Sequence, residues 1–167
     1  RYYLYFAHHG GQYIRLAYAD DPAGPFTVHE PGVLPLTAAP CRSHVASPDI
    51  HVDTADRRLR LYFHGCVDPD NDYGVVQVSY VAFSHDGIEW EVRPRIIAPF
   101  YLRAWPYRGA WYGIAKDTNR GGILCRSADG IDPFVLGPRI IPRMRHAAVW
   151  LRGDTLTIVC SRAGDCP

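Results

Sequence analysis

Three short stretches hold the side chains with the most chemistry. His44-Val45-Ala46-Ser47-Pro48-Asp49 ends on a carboxylate early in an apolar run, with a proline fixing the approach of the chain. Leu102-Arg103-Ala104-Trp105 puts a guanidinium two residues from an indole, and Met144-Arg145-His146 adds a second guanidinium and an imidazole. Four further stretches supply more imidazoles, cations and carboxylates: His8-His9-Gly10-Gly11, His64-Gly65-Cys66-Val67-Asp68, Lys116-Asp117 and Ser161-Arg162-Ala163-Gly164-Asp165. Groups of this kind, beside Trp and Tyr rings, compose a pocket for a polar, hydroxylated ligand. A carboxylate among them can accept a pair of hydroxyls or keep a neighbouring imidazole protonated as an acid. The candidates are therefore Asp49 as a catalytic or subsite carboxylate, with His8, His9, His44, His64, Arg103, Trp105, Arg145, His146, Arg162 and Asp165 as ligand-binding groups. The same residues also fit a solvated rim of polar loops, and Asp49 fits a cap on a neighbouring backbone.

The elements that must position these groups are strands. Leu4-Tyr5-Phe6-Ala7-His8 recurs as Leu61-Tyr62-Phe63-His64-Gly65, with looser copies at Trp111–Ala115 and Leu156–Cys160. Ser84-His85-Asp86-Gly87-Ile88-Glu89-Trp90 recurs as Ser127-Ala128-Asp129-Gly130-Ile131-Asp132-Pro133-Phe134, and Ala19–Phe26 is a degenerate third copy. Each of these is an Asp/Gly or Pro/Gly turn between strand residues, and no segment sustains a helical period with caps. Repeats of about four strands imply an all-β propeller. From axis to rim, one blade is predicted at His44–Asp53, Arg58–Cys66, Val75–Ser84 and Trp90–Ile97. The next is predicted at Tyr101–Tyr107, Ala110–Lys116, Gly122–Ser127 and Phe134–Ile140. The first blade lacks its inner strand and the fourth stops after its second strand, near Cys160. Residues 1–167 are thus expected to form a single propeller domain cut at both ends.

Strand parity sorts the polar residues onto two rims. One collects Asp53–Asp56, Arg108-Gly109, Arg152-Gly153-Asp154 and the three Asp/Gly turns, whose carboxylates are explained by bonding their own backbone. The other collects all the candidate ligand-binding groups.

Composition narrows the partners. Eighteen Lys and Arg against seventeen Asp and Glu give no electrostatic reason to expect nucleic acid or an anionic membrane. No stretch approaches the ~18 consecutive apolar residues of a membrane span. Aromatic residues at 13 % serve strands and can also form platforms for sugar rings. The five cysteines (Cys41, Cys66, Cys125, Cys160, Cys166) show no metal-binding spacing and read as free thiols. That favours a reducing, cytoplasmic compartment, although any targeting segment would lie upstream of Arg1.

At Ile14–Asp20, Gly24-Pro25-Phe26 and Ala46-Ser47-Pro48-Asp49-Ile50 the sequence resembles the five-bladed propeller glycoside hydrolases. It is most similar to family 43, with families 32, 68 and 117 as relatives, and to a bacterial branch in which a preceding strand completes the first blade. The resemblance implies furanosidase-type hydrolysis by channel carboxylates, a base on the missing inner strand, and Asp49 in a subsite or acid-tuning role. It requires no cofactor. It does imply a structural calcium in the central channel, near His146. Two features depart from the pattern. Arg103 and Arg145-His146 stand where an Asp and a Glu are expected, and the only glutamates, Glu30, Glu89 and Glu91, fall on outer strands or loops. Three functions follow: a glycosidase, a sugar-binding propeller without catalysis, and a protein-interaction propeller. The absence of WD and kelch signatures disfavours the last.

Overall fold

A computed structural model describes residues 1–67, 77–117 and 121–164. Its described residues form thirteen strands and one 3-10 turn, Leu36–Ala38, and the fold is all-β of the propeller kind. Contacts divide the chain into two compact units, Arg1–Arg95 and Ile96–Pro167.

The first unit holds a three-stranded antiparallel sheet of β1 (Tyr2–Ala7), β2 (Tyr13–Ala19) and β3 (Thr27–Pro35). It also holds β4 (Val45–Asp53), β5 (Arg58–Cys66), β6 (Gln77–Ser84) and the first half of β7 (Glu91–Pro99), which follow one another in a four-stranded sheet; the second unit begins within β7, at Ile96. Alternation along β5 explains the packing. Leu61 and Phe63 point to one face, where they join Ile14, Leu16, Leu34, Val45 and Tyr80 in an apolar core. Each fully buried side chain of that size stabilises by about 1.5–3 kcal/mol. Arg60, Tyr62 and His64 point to the opposite face and are buried too.

The second unit repeats the pattern with β8 (Arg103–Tyr107), β9 (Ala110–Asp117), β10 (Gly121–Ser127) and β11 (Val135–Pro142) in one sheet. β12 (Met144–Arg152) and β13 (Thr155–Arg162) form a hairpin. Tyr101, Trp105, Ile114, Met144 and Ala147 make its core.

The expected strands are present with small shifts at their ends. Tyr101 has φ +60°, a turn conformation that cannot extend a strand, so β8 begins at Arg103. Positions 75 and 76 of the expected third strand lie outside the described residues, and β6 is described from Gln77.

The Asp/Gly turns close as local chemistry requires. Asp86 accepts the N–H groups of Ile88 and Glu89 at 2.8 and 2.9 Å, and Ser84 accepts that of Gly87 at 2.8 Å. Asp129 accepts those of Ile131 and Asp132, both at 2.9 Å, and Asp21 accepts that of Ala23 at 2.8 Å.

Candidate functional site

In the first unit, the β1–β2 loop folds against the entry of β4. The Gly11 N–H donates to the His8 carbonyl and the Val45 N–H donates to the Gly11 carbonyl, both at 2.8 Å. Gly11 has φ +69°, and a Cβ there would overlap the Cβ of His44, so only glycine lets the two segments approach this closely. The result is a cleft of ≈ 570 Å³ lined by His8, His9, Gly10, Gln12, Ser43, His44, Ala46 and Gln77. His44 sits between Ser43 Oγ at 3.1 Å and Gln77 Oε1 at 3.2 Å, and its ring meets that of His64 edge-on at 5.7 Å. His8 stacks on Tyr13 at 4.5 Å, and its buried Nδ1 has no hydrogen-bond partner among the described residues. The cleft therefore offers imidazole and amide groups held by tertiary contacts.

Asp49 lies one step further along the sheet. Strict alternation from the buried Val45 would turn Asp49 into the apolar core. A β-bulge prevents this: Ala46 pairs with His64 and Asp49 with Tyr62, so three steps on β4 match two on β5. Ser47 takes φ +53° within the bulge, ahead of Pro48. Asp49 consequently joins the face of Tyr62 and His64, where His51 Nε2 comes within 3.3 Å of its Oδ2. The His51 ring meets the buried Tyr62 edge-on at 5.6 Å, and the Tyr62 hydroxyl accepts from Arg60 at 3.2 Å. Asp49 and its imidazole neighbour thus sit within a polar network rather than on a bare rim. Sequence reasoning missed His51, although its position two residues beyond Asp49 places both on one face. Gln77 gave no such signal.

The second unit places its candidates differently. Trp105 is only 7 % exposed and belongs to the apolar core, with its ring stacked at 6.4 Å from Tyr112. Arg103 lies over the Tyr101 ring at 4.3 Å, and His146 approaches the same ring at 5.2 Å. The Tyr101 hydroxyl donates to the Ala147 carbonyl and accepts the Ala147 N–H, both at 3.3 Å, which anchors the start of β12. A second bulge, between Met144 and His146, leaves Met144 and Ala147 buried while Arg145 and His146 are exposed. Arg162 pairs with Met144 across the hairpin and is exposed. Asp68 and Asp165 lie outside the described residues.

Although His146 is exposed, partial desolvation by its neighbours lowers its imidazole below the ordinary range, and the nearby charges of Arg145, Lys116 and Arg103 lower it further. Burial and Arg145 likewise lower Lys116. These surroundings do not fit a calcium ion, which takes six to eight oxygen ligands. No group of three or more His, Cys, Asp or Glu that could hold a metal is found among the described residues.

A larger cleft, ≈ 760 Å³, opens at the turn end of the first unit beside Tyr3, Ile50, Val52, Arg58 and Asp86. Two of its charged groups are already engaged: Arg58 pairs with Asp56 at 2.6 Å, and the turn backbone holds Asp86. The smaller cleft has the richer unused chemistry.

Cys41, Cys66, Cys125 and Cys160 are not joined in disulfides, and Cys166 lies outside the described residues. Burial pushes Cys41 and Cys125 up to about 12, so neither is a nucleophile at neutral pH. No helix among the described residues is long and apolar enough to cross a membrane.

No family model matches the chain. An uncharacterized protein of Acanthamoeba polyphaga mimivirus is 34 % identical over 193 residues, covering 99 % of this chain and 52 % of its own length. The chain therefore spans about half the length of this curated relative. The relative is viral, and nothing in it supports the expected bacterial branch.

Three solved structures share the fold. An alpha-L-arabinofuranosidase from Clostridium thermocellum aligns with TM-score 0.71 at 20 % identity, over 93 % of this chain and 55 % of its own. An endo-1,4-beta-xylanase from Bacteroides thetaiotaomicron gives TM-score 0.67 at 18 % identity, over 95 % and 60 %. A family 117 glycoside hydrolase from Zobellia galactanivorans gives TM-score 0.62 at 18 % identity, over 83 % and 40 %. The fold is thus that of propeller glycoside hydrolases.

Proposed function

We propose that this chain forms part of a five-bladed, glycoside hydrolase-like propeller that binds an oligosaccharide at its loop end. The observation that carries the reading is the first unit's cleft of His8, His9, His44 and Gln77, next to the bulge that turns Asp49 out of the core. Its polar groups suit sugar hydroxyls, and the fold is shared with an arabinofuranosidase and a xylanase. In this reading Asp49 accepts a pair of sugar hydroxyls, with His51 Nε2 beside it at 3.3 Å as a second polar contact for the ligand. A carbohydrate is the partner, with neither nucleic acid nor membrane, and the compartment is cytoplasmic.

A second reading, sugar binding without hydrolysis, is favoured by the positions of the glutamates. Glu30 lies on β3 and Glu91 on β7, both outer strands, and Glu89 lies in a turn. None stands on an inner strand to act as an acid.

The test is Asp49→Asn in the full-length protein, measured by calorimetric binding and hydrolysis across a glycan panel. The expected loss is about 2–3 kcal/mol of binding or transition-state stabilisation. Asp86→Asn, in a turn at the opposite end of the sheet, is expected to leave both unchanged. Equal losses at the two positions would remove the proposed site. Binding without turnover in the unmodified protein would select the second reading.

A further inference from the structure

The two ends of the second unit differ sharply in charge. The turn end carries Arg108, Arg126 and Arg152 against Asp129, Asp132 and Asp154, an even balance among the described residues. The loop end carries Arg103, Lys116, Arg139, Arg143, Arg145 and Arg162, with His146, against a single described carboxylate, Asp117. Arg139 takes that carboxylate, and among the described residues neither Lys116 nor Arg145 has an ion-pair partner.

These charges are held together by the fold. Lys116 lies next to the end of β9, where its N–H donates to the Phe100 carbonyl at 2.9 Å and its ammonium lies over the Phe100 ring at 5.0 Å. Arg145 is the extra residue of the β12 bulge, which puts it and His146 outside the core together. The groups facing His146 are Arg103 from β8, Lys116 from β9, its own neighbour Arg145, the Tyr101 ring, and Ser161 of β13, whose hydroxyl lies 3.4 Å from Nδ1. Like charges brought this close raise the local potential and call for a counter-anion.

We propose that Lys116, Arg145 and His146 form an oxyanion site at the loop end of the second unit. Given the carbohydrate reading above, on which this part rests, its ligand is an acidic sugar bearing a carboxylate or a sulfate ester. A lysine supplies a point charge and an arginine a planar fork, and together they hold such a group by charge-assisted hydrogen bonds. The partly buried Phe100 ring beside Lys116 adds an apolar surface that suits a sugar ring. A neutral sugar would leave the charges uncompensated. Bound anion would also favour protonated His146, so affinity should rise as pH falls through the imidazole range.

The experiment follows the His146 ring by NMR in the full-length protein during pH titrations with inorganic sulfate, galacturonate or galactose. Sulfate or galacturonate is expected to raise the His146 midpoint and galactose to leave it fixed; which anion acts more strongly identifies the ester or the acid. Lys116→Gln combined with Arg145→Gln should abolish the response and weaken oligogalacturonide binding roughly tenfold or more. Lys116→Arg, which keeps the charge, should retain both. An unmoved midpoint with both anions, or a double variant that responds like the parent, would overturn the site. Equal affinity for acidic and neutral oligosaccharides would overturn the acidic-sugar assignment and leave the carbohydrate reading intact. If free anions shift His146 but no oligosaccharide binds, the oxyanion site stands and the carbohydrate reading fails. A DNA oligonucleotide that displaces galacturonate at lower concentration than oligogalacturonide would replace the sugar with a nucleic-acid phosphate.

Discussion

The Asp/Gly turns at one end of these sheets and the loops at the other use polar residues and satisfy them by different means. At the turn end, Asp86 and Asp129 take their partners from residues two and three positions ahead and from the serine two positions behind. At the loop end, His44 reaches Gln77, Tyr101 reaches Ala147, and Gly11 meets Val45, all across large sequence separations. A polar group saturated by its own turn has little left for a ligand. One held by distant strands is oriented by the fold rather than by its own turn.

The sharpest way to break this comparison is to make the same substitution at both ends. Gly11→Ala adds overlap with His44 to the strain of a positive φ, for an expected loss of about 2–4 kcal/mol. It should also lose ligand binding, because the cleft wall must move. Gly109 has φ +76° in the Arg108-Gly109 turn, and a Cβ there meets nothing within 4 Å. Gly109→Ala should therefore cost only the backbone strain, about 1–2 kcal/mol, with binding unaffected. Urea denaturation of the two variants measures the difference, and equal losses would mean that the loop end is not held by close tertiary contact.

Tyr101→Phe is the next largest single loop-end effect. It leaves both the N–H and the carbonyl of Ala147 without the hydroxyl, at an expected cost of about 1–2 kcal/mol. The His146 environment should change with it, read by the shift of the imidazole resonance.

The smallest effect is expected at Asp129. Burial alone would raise its carboxyl, but the N–H groups of Asp132 and Ile131 and the Ser127 hydroxyl outweigh it and hold the group below the ordinary range. A lowered carboxylate contributes stability that is present above its unfolded value, near 3.9, and is lost as pH falls through the folded value. Asp129→Asn should thus cost under about 1 kcal/mol at pH 7, since the group is largely solvated. The difference from the parent should vanish in strong acid. Thermal melts from pH 7 to pH 2 test the sign, and a difference that grew on acidification would contradict the turn assignment.

Much of the fold was legible because its signals are local. Asp86-Gly87 and Asp129-Gly130 announce turns whose hydrogen bonds span two or three residues, and β5 announces its alternation in Leu59, Leu61 and Phe63. These determined the strands, their order along the chain and the separation of the two ends. The candidate site was legible only in part. Trp105 read as a rim aromatic and lies in the core, because its depth depends on Ile114 and Met144 from other strands. Whether Asp49, Arg145 and His146 face the core or the loop end was decided by the tertiary structure alone. Each lies at a bulge, where one extra residue reverses the parity of everything beyond it. A bulge is defined by mismatch with a partner strand, and that register is set by which side chains the two strands bury together, a property no single stretch of sequence contains.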